Sequence, residues 1–325
     1  MKTSDYLKCA ILLSVFLFTA CQCKPPIDGD AQCDDLAKNG YVSILDLNIE
    51  WVREVNNEEP KLRQIADFVA KNHVDFVLLQ EVTSRTITGR KNSATELRKI
   101  LLKKHNMRYN VTAAEDIVSW GNAILSRCAI TRTDKKNLYT RGNPNKDKWA
   151  LSRNVLLAVV SIPGYGNVNI YDTHLCSSDC GLTGRKLELD IALSWIKETT
   201  SGSRLAIIGG DFNFDRFVNA GSEAFMWQKI IDAGFKDAYA DYMEKHGVDL
   251  DFLCENECKP DEHCTKGVTK RDKKNGRRID YIFTNTSHTI KDAREDARVV
   301  FNEMINPDEA TVSDHAGVFI LLKLP

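Results

Sequence analysis

Apolar residues follow two different spacings along this chain from residue 40 onward. Short apolar runs predict buried β-strands at 41–47, 74–79, 123–125, 155–161, 168–172, 205–210, 279–283 and 318–322. Apolar residues three or four positions apart predict amphipathic helices at 61–72, 94–104, 184–198 and 222–233. Strands alternate with helices early in the chain, whereas its middle is hairpin-like. This mixture predicts an α/β fold with two sheets packed face to face and helices outside, rather than a strictly parallel barrel.

The chain has room for one large domain or two small ones, since it has 325 residues of which 43% are hydrophobic. No linker-like stretch interrupts residues 40–325, so we expect a single domain there. Residues 24–39 are polar and predict an extended tether. The segment 240–277 is rich in charge and cysteine and is interpreted as a long insertion.

Residues 1–23 have the pattern of an export signal. Two lysines lie near the start, and residues 9–20 form an apolar run that is too short for a bilayer core of about 30 Å. The tetrapeptide ending at Cys21 resembles a bacterial lipobox, with phenylalanine where an aliphatic residue is usual. Lipidation of Cys21 is therefore one prediction, and ordinary secretion is the alternative. In both cases we expect an exported protein, either secreted or tethered as a lipoprotein in the periplasm or at the cell surface.

Export makes the cysteines candidates for disulfides. Seven of the ten lie after residue 24, and Cys176 and Cys180 are close enough in sequence to pair across a short polar loop. Three more cluster in the insertion: Cys254, Cys258 and Cys264. Two of these three are expected to pair locally and the third to reach Cys33, with a zinc site completed by His263 as the alternative. Cys128 is expected to be a buried free thiol.

The formal net charge of −1 does not indicate a general affinity for nucleic acid. Basic residues are nevertheless concentrated locally. The segment 134–149 contains Lys135, Lys136, Arg141, Lys146 and Lys148. This segment is suited to following a phosphate backbone, and ordinary solvated surface is the alternative interpretation.

Polar residues with metal-binding or acid–base chemistry lie at an end of seven of the apolar segments. They are Asn48, Glu81, Asn122, Asp172 with His174, Asp211 with Asn213, Arg278 with Asp280, and Asp314 with His315. A single segment of this kind would mean little. Seven of them, each at the end of a strand-like run, predict that many strand ends converge on one pocket that holds a divalent metal against a phosphate.

Glu81 follows an apolar run, and a buried carboxylate there must be paired or metal-bound because an unpaired buried charge is costly. Magnesium takes one or two carboxylates and keeps several waters, so Glu81 is predicted as its first ligand. Asp211 and Asn213 are two positions apart after a glycine pair. In an extended turn they point to one side, where they are suited to accepting a proton from water and holding a phosphoryl oxygen. A plain Asx-turn is the alternative.

Two histidines are candidates for acid–base work near neutral pH. His174 ends a predicted strand, with Asp172 as an orienting residue behind it. His315 follows Asp314, and Asp280 is placed to bind His315 and to set its tautomer. Core hydrogen bonding and surface salt bridges are the alternatives for these residues. Two neutral residues, Asn48 and Asn122, are suited to binding metal-bound water or a phosphate oxygen without adding charge repulsion.

The order Asn, Gln-Glu, Gly-Asn, Thr-His-Leu, Gly-Asp-Phe-Asn, Arg-Ile-Asp-Tyr and Ser-Asp-His resembles the endonuclease/exonuclease/phosphatase superfamily from about residue 40 to 325. The resemblance implies a four-layer α/β sandwich and magnesium-dependent cleavage of a phosphate ester by in-line attack of water. By position it implies metal ligation by Asn48, Glu81 and Asp314. It also implies catalytic roles for His174, Asp211, Asn213, Asp280 and His315. Asn122 and Arg278 are assigned to the substrate phosphate.

The resemblance does not settle the substrate, because one fold hosts many reactions. The residues after Glu81 and around His174 argue against the abasic-site endonuclease branch. An exported nuclease acting as a monomer on nucleic acid is the leading expectation. The alternatives are a sphingomyelinase-like enzyme acting on membrane lipid, another exported phosphatase, and an inactive binding protein or toxin subunit. Manganese is an alternative to magnesium, and calcium is a candidate structural ion.

Overall fold

A computed structural model describes most of the chain from residue 39 onward. The described residues are 33, 36, 39–50, 58–83, 92–115, 120–138, 153–177, 180–200, 203, 205–217, 223–248, 250, 269, 277–285, 296–301 and 312–324. The predicted export signal, the lipidation of Cys21, the cysteine cluster at 254–264 with its zinc alternative, and the basic segment beyond residue 138 lie outside these residues.

Twelve strands and five helices make up the described part of the chain. The strands are β1 (Tyr41–Asn48), β2 (Phe76–Thr83), β3 (Asn110–Glu115), β4 (Trp120–Ser126), β5 (Ala129–Asn137), β6 (Asn154–Ile162), β7 (Gly166–His174), β8 (Leu205–Asp211), β9 (Lys236–Asp237), β10 (Asp280–Thr284), β11 (Asp296–Val300) and β12 (Gly317–Lys323). The helices are α1 (Glu58–Lys71), α2 (Ser93–His105), α3 (Gly181–Thr200), α4 (Ala224–Asp232) and α5 (Ala238–Lys245). None of these helices combines the length and the hydropathy that crossing a membrane requires.

The strands form two mixed sheets of six strands each. Sheet A has the order β11-β12-β1-β2-β4-β3, and sheet B has the order β5-β6-β7-β8-β10-β9. One pair in each sheet is parallel, β1 with β2 and β7 with β8, and the other neighbours are antiparallel. The predicted α/β class and its four-layer sandwich of two sheets flanked by helices are confirmed.

The layers follow from the two-residue period of the strands. On β1, Val42 and Ile44 belong to the core between the two sheets, whereas Leu45 and Leu47 pack with the apolar faces of α1 and α2. Sheet B repeats this division, with alternate residues of β8 packing into the gap or against α3 and α4. Each sheet is therefore covered on both faces, which explains why its central strands are continuous apolar runs in the sequence.

The core between the sheets is apolar along most of its length and becomes polar at one end. Continuing the inward-facing positions leads to Asp46 and Asn48 on β1, Gln80 on β2, Asp172 and His174 on β7, Asp211 on β8 and Asp280 on β10. All seven residues are buried. We call this group the polar end. The gap between the sheets thus brings together residues that are up to 234 positions apart in the chain.

The cysteines correct part of the sequence analysis. Cys176 and Cys180 form the predicted local disulfide. Cys128, expected to be a free thiol, is bonded to Cys33, which was expected to pair with the insertion. Cys33 and Leu36 are buried in the core between the sheets, so these two residues of the predicted tether are packed. The 95-residue separation of Cys33 and Cys128 explains the error, because tertiary contact rather than sequence proximity decides the pairing.

Candidate active site

Two parallel strand pairs bring the candidate residues together. Asn48 ends β1 beside Gln80 of β2, and His174 ends β7 beside Asp211 of β8. Because parallel strands end at the same edge of a sheet, each pair delivers its polar residues to one place. The two sheets pack with these edges facing each other, so that the side chain of Asn48 on sheet A contacts that of Asp211 on sheet B.

Glu81 reaches the polar end through a β-bulge. If side chains alternated strictly along β2, Glu81 would point away from the gap that its neighbour Gln80 faces. The register between β2 and β4 shifts between Leu79 and Val82, and Glu81 has a φ of +58°. A bulge of this kind re-aims one side chain. As a result, Glu81 Oε1 accepts a hydrogen bond of 3.2 Å from Asn48 Nδ2.

Asp211 is the centre of the site. Its Oδ2 accepts a hydrogen bond of 3.1 Å from Asn48 Nδ2 and lies 3.4 Å from His174 Nε2 and 3.7 Å from His315 Nε2. Its Oδ1 accepts the backbone N–H of Asn213 at 2.9 Å. The carboxyl group is 2% exposed. Four of the predicted residues thus contact or lie close to a single buried carboxylate.

The loop after Asp211 holds Asn213 in a left-handed backbone conformation, with φ of +54°. Asparagine adopts this region more readily than most residues. The Asn213 side chain donates from Nδ2 to the carbonyl oxygen of Leu175, 2.9 Å away, and Leu175 donates its backbone N–H to the Asp211 carbonyl. Asp211 and Asn213 therefore form an Asx-turn and also lie in the site. The turn satisfies the Asp211 carboxylate and links this loop to the segment after His174.

His315 is oriented by Asp280. His315 Nδ1 lies 2.9 Å and 3.1 Å from the two oxygens of the Asp280 carboxylate. The carboxylate can only accept, so Nδ1 carries a proton and Nε2 is the atom that faces the site. Asp314 is 44% exposed and lies at the rim, with Oδ1 3.7 Å from His315 Nε2. Asp280 itself is held by a hydroxyl from elsewhere in the chain, because Thr269 Oγ1 accepts its backbone N–H.

The carboxylates of the site repel one another. Burial, and next the negative charge of Asp280, raise the pKa of Asp211 to about 7, against the smaller lowering effects of His315 and Asn48. An acid with this pKa changes protonation near neutral pH. The site therefore contains a group that is suited to accepting a proton from water.

These residues fit a divalent cation. Asp211, Asp280 and His315 each offer a ligand atom, and the three atoms lie within 4.8 Å of one another. Asn48 and Glu81 add an amide and a second carboxylate beside them. Oxygen-rich donor sets with carboxylates suit magnesium and manganese. A cation held by Glu81 and Asn48 beside Asp211 would offset charge that is otherwise buried and repulsive.

Comparison with known proteins agrees with this geometry. A model of the Endonuclease/Exonuclease/phosphatase family matches residues 47–315, which is most of the chain. The chain belongs to this family. The resemblance inferred from the motifs is thereby confirmed, and the match begins just before Asn48 and ends at His315.

A Drosophila melanogaster protein named "Putative neutral sphingomyelinase" is 25% identical over 293 residues, covering 87% of this chain and 61% of that protein. This chain thus spans about three fifths of the length of that curated relative.

Solved structures of the endonuclease/exonuclease/phosphatase family have the same fold. A family protein from Leptotrichia buccalis C-1013-b has a TM-score of 0.62 at 22% identity, covering 86% of this chain and 98% of its own. Truncated Caenorhabditis elegans TDP2 has a TM-score of 0.60 at 16% identity, covering 88% and 98%. D. rerio TDP2 complexed with single strand DNA product has a TM-score of 0.59 at 19% identity, covering 86% and 98%. These likenesses concern the fold.

Two predicted residues support the site from behind. Asp172 is fully buried below His174, and its Oδ1 accepts a hydrogen bond of 2.7 Å from Gln80 Nε2. Burial raises its pKa well above the usual range. Asn122 donates from Nδ2 to the carbonyl oxygens of Asn154 and Asp172 and so joins the two sheets. This bridging use differs from the phosphate-binding role that the sequence analysis assigns to Asn122.

Arg278 is enclosed by other protein groups, contrary to the phosphate-binding role assigned to it. Its guanidinium group is 1% exposed and donates two hydrogen bonds, of 2.8 Å and 2.6 Å, to the carboxylate of Asp237. The guanidinium carbon lies 4.6 Å from the ring centroid of Tyr281 and 5.0 Å from that of Tyr239. A substrate phosphate cannot reach a cation enclosed in this way, so the role of Arg278 is structural.

Truncating Arg278 should therefore destabilise the fold. The substitution Arg278→Ala leaves the buried Asp237 carboxylate without the cation that pairs with it, and we expect a loss of about 3–5 kcal/mol in the free energy of unfolding. Lys104→Ala is the matched control, because Lys104 pairs with Asp67 on the surface and exposed pairs contribute about 0–1 kcal/mol. Urea denaturation measures both changes. Equal denaturation midpoints for the two variants would contradict the structural assignment.

The neighbouring Arg277 is a candidate site residue that was not predicted from the sequence. Its side chain is 33% exposed and pairs with Glu223, which also pairs with the buried Arg185. Arg185 in turn donates to the backbone carbonyl oxygens of Cys176 and Ser177, just after His174. Adjacent residues of an extended segment point to opposite sides, so one arginine of the Arg277–Arg278 pair had to face outward. That period was the signal available in the sequence.

Gly210 sets the spacing between the two strands that carry His174 and Asp211. Its φ is +146°, and a Cβ at this position would overlap the backbone carbonyl oxygen of Thr173. We expect Gly210→Ala to separate β7 from β8 and to lower phosphoester hydrolysis by about 100-fold, because small misplacements of reacting groups have effects of this size. Steady-state kinetics on a small phosphodiester measure the loss.

Gly247→Ala is the control for Gly210→Ala. Gly247 also has a positive φ, +77°, but within the described part of the chain nothing lies within 4 Å of its Cβ position. The variant should lose some stability through backbone strain and keep its activity. If Gly210→Ala were as active as Gly247→Ala, the close packing of β7 and β8 would not matter for the site.

Proposed function

We propose that this protein is a magnesium-dependent phosphodiesterase that acts on nucleic acid. The observation that carries the hydrolytic part is the buried cluster of Asp211, Asp280 and His315, which lies beside the Asn48–Glu81 pair. This cluster combines a base, an oriented imidazole and a carboxylate–amide pair suited to a metal. Membership of a family of phosphoester hydrolases supports the same reaction.

The residues of the chain divide the work between them. Asp211, whose carboxylate lies beside the Asn48–Glu81 pair, is placed to accept a proton from the attacking water. Asp280 holds His315 and stabilises its imidazolium form, so that Nε2–H donates a hydrogen bond to a phosphoryl oxygen. His174, 3.4 Å from Asp211, is placed to act on the same phosphate group. A bound Mg²⁺ would polarise the phosphoryl group and offset its developing charge.

A basic edge strand supports nucleic acid as the substrate. Residues 131–137 of β5 are all exposed and include Arg132, Lys135 and Lys136. Lys136 is opposite Val155 on β6, which is opposite Thr173 on β7, the residue before His174. Adjacent strands are about 4.8 Å apart, so the backbone of Lys136 lies roughly 10 Å from Thr173, to the side of the site. A substrate with several phosphates along its length would contact both places, whereas a single headgroup would not.

A sphingomyelinase-like lipid phosphodiesterase is the second candidate. It is favoured by the named relative from D. melanogaster, which matches 87% of this chain. Export is part of both proposals, and the two disulfides suit an oxidising compartment. N-terminal sequencing of the protein recovered from its host would test export by locating the processing site.

The deciding experiment offers the purified processed protein plasmid DNA, RNA, sphingomyelin vesicles, inositol phosphates and bis(p-nitrophenyl) phosphate, each with and without Mg²⁺. We expect cleavage of nucleic acid and of the small diester. Preferred hydrolysis of sphingomyelin would replace the nuclease proposal with the lipid one. If no phosphate ester is cleaved, the protein is a binding member of the family.

A double variant tests the basic strand. Lys135→Glu with Lys136→Glu should lower nucleic-acid cleavage about tenfold or more. The slope of its logarithm against the logarithm of salt concentration should decrease by the amount expected for about two lost phosphate contacts. Hydrolysis of bis(p-nitrophenyl) phosphate should not change. The matched control, Lys103→Glu with Lys197→Glu, changes the same charge at exposed sites near the far ends of α2 and α3. Equal nucleic-acid cleavage by both double variants would contradict the proposal that β5 contacts nucleic acid.

A further inference from the structure

Gln80 joins the two sheets directly beneath the site. Its Nε2 donates two hydrogen bonds, one of 2.9 Å to Asp46 Oδ1 on β1 and one of 2.7 Å to Asp172 Oδ1 on β7. All three side chains are fully buried. Gln80 and Asp46 belong to sheet A and Asp172 to sheet B, so both hydrogens of one amide group are used to hold three strands together.

Each member of this bridge lies just before a residue of the site. Asp46 precedes Asn48 by two positions, Asp172 precedes His174 by two, and Gln80 precedes Glu81 by one. Asp46 also abuts β8, because a Cβ on Gly209 would lie 3.0 Å from Asp46 Oδ1, two positions before Asp211. The bridge therefore sets the separation of the four strand ends from which the proposed metal ligands and reacting groups project.

The bridge is costly for the fold. Three of its buried oxygens have no hydrogen-bond partner among the residues that the structure describes: Asp46 Oδ2, Gln80 Oε1 and Asp172 Oδ2. Unsatisfied buried polar atoms lower stability, and apolar side chains of similar volume would fill the same space at less cost. The neighbouring inward positions Ile44, Leu78 and Ile170 are filled in that way. Polar residues at the three positions nearest the site therefore call for a functional reason.

We propose that Gln80 is a positioning residue that fixes sheet A against sheet B, so that Asn48 and Glu81 meet Asp211 and His174 at the correct separation. The inference rests on the proposed hydrolytic function of the site. Gln80 touches neither substrate nor metal, and it acts through the two aspartates that it joins.

The test compares two amide deletions on the full protein. Gln80→Met keeps the length of the side chain and removes both donors. Asn169→Leu is the matched control. Asn169 is also a buried amide, on β7 five positions before His174, and its Nδ2 donates to the Thr199 carbonyl oxygen and to Tyr171 Oη. Both variants lose two hydrogen bonds donated by a buried amide, but only those of Gln80 lie beneath the site.

We expect Gln80→Met to lower kcat on bis(p-nitrophenyl) phosphate by about 10- to 100-fold with KM changed by less than about threefold, since misplacement acts on the reacting geometry. Asn169→Leu should keep kcat within about twofold while losing a similar amount of thermal stability. Equal kcat values for the two variants at a temperature where both are folded would overturn the inference.

Two further measurements separate positioning from stability and from the proposed function. Adding Asp46→Leu and Asp172→Leu to Gln80→Met removes the unpaired carboxylates and should restore melting temperature but not kcat. Recovery of kcat together with stability would overturn the positioning role. Calorimetric Mn²⁺ binding needs no turnover. A dissociation constant raised at least about threefold by Gln80→Met, and not by Asn169→Leu, supports the inference even if no phosphate ester is cleaved, and equal constants contradict it.

Discussion

Replacing Asp211 by asparagine should lower phosphodiester hydrolysis by about 10²- to 10⁴-fold, the range expected when a positioned acid–base group is lost. The substituted amide could still accept hydrogen bonds through its carbonyl oxygen, but it could not take a proton from water. His315→Ala should have an effect of similar size, because it removes the imidazole that Asp280 orients. Steady-state kinetics on bis(p-nitrophenyl) phosphate at saturating Mg²⁺ measure both losses.

The Asp211→Asn variant should also be at least as stable as the original protein when metal is removed. Burial and the charge of Asp280 raise the pKa of Asp211 to about 7 in the folded protein. Folding therefore costs free energy at any pH where this carboxyl is ionised in the unfolded chain. The gain in stability from Asp211→Asn should be present above about pH 7. It should disappear as the pH falls toward the pKa of an aspartate in the unfolded chain, near 4. Thermal melts in chelator at several pH values measure it.

Asp232→Asn, on the exposed end of α4, is the control for Asp211→Asn and should change neither activity nor pH dependence. A sharp loss of stability in Asp211→Asn would contradict the electrostatic account of the site. Full activity would contradict the catalytic one. The opposing directions expected for activity and stability are typical of active-site residues, whose charges are kept for function at the expense of the fold.

Removal of divalent metal should abolish turnover, and Mg²⁺ or Mn²⁺ should restore it. The metal should also stabilise the fold, because it offsets the buried carboxylates of Asp211 and Asp280 beside Glu81. Binding at a hundredfold excess over the dissociation constant stabilises by about 2.7 kcal/mol, which is visible as a rise in melting temperature. Activity assays in EDTA and melts with and without Mg²⁺ measure the two effects.

Glu81→Gln should reduce the metal-induced rise in melting temperature, and Glu198→Gln, at an exposed position of α3, should not. Turnover that persists in excess chelator would exclude a metal role for Glu81. If metal were needed but Glu81→Gln bound it normally, the ligand assignment would have to move to the buried Asp211–Asp280–His315 cluster alone.

The strands that sequence analysis missed share one property. β3, β5, β9 and β11 were not predicted, and all four are edge strands of their sheets. Central strands are buried on both faces and appear as apolar runs, so the ends of β1, β8 and β10 were predicted to within one residue. Edge strands have one open side and tolerate charge, as β5 does with Arg132, Lys135 and Lys136. Their pairing is determined by neighbours that are distant in sequence.

The candidate site was predicted in the same uneven way. Strand-end motifs identified Asn48, Glu81, Asp211, Asp280 and His315, which the structure brings together. Gln80 and Asp46 were not assigned roles, although the two-residue period on β1 and β2 indicated that both face the gap. Asn122 and Arg278 were assigned to the substrate, and the structure uses them for internal bonds. Chemistry alone could not distinguish these uses, because an arginine that binds phosphate and one that binds a carboxylate look identical in a sequence.

The sequence by itself determined most of the elements, their layers and the chemical composition of the site. These properties depend on local spacing, since the periods of strands and helices decide which residues are inward. Only the tertiary structure decided which inward residues meet. The bulge that turns Glu81, the pairing of Cys33 with Cys128, and the partners of Arg278 depend on contacts between segments as far as 95 positions apart. Such contacts arise from the packing of the two sheets, which no local pattern records.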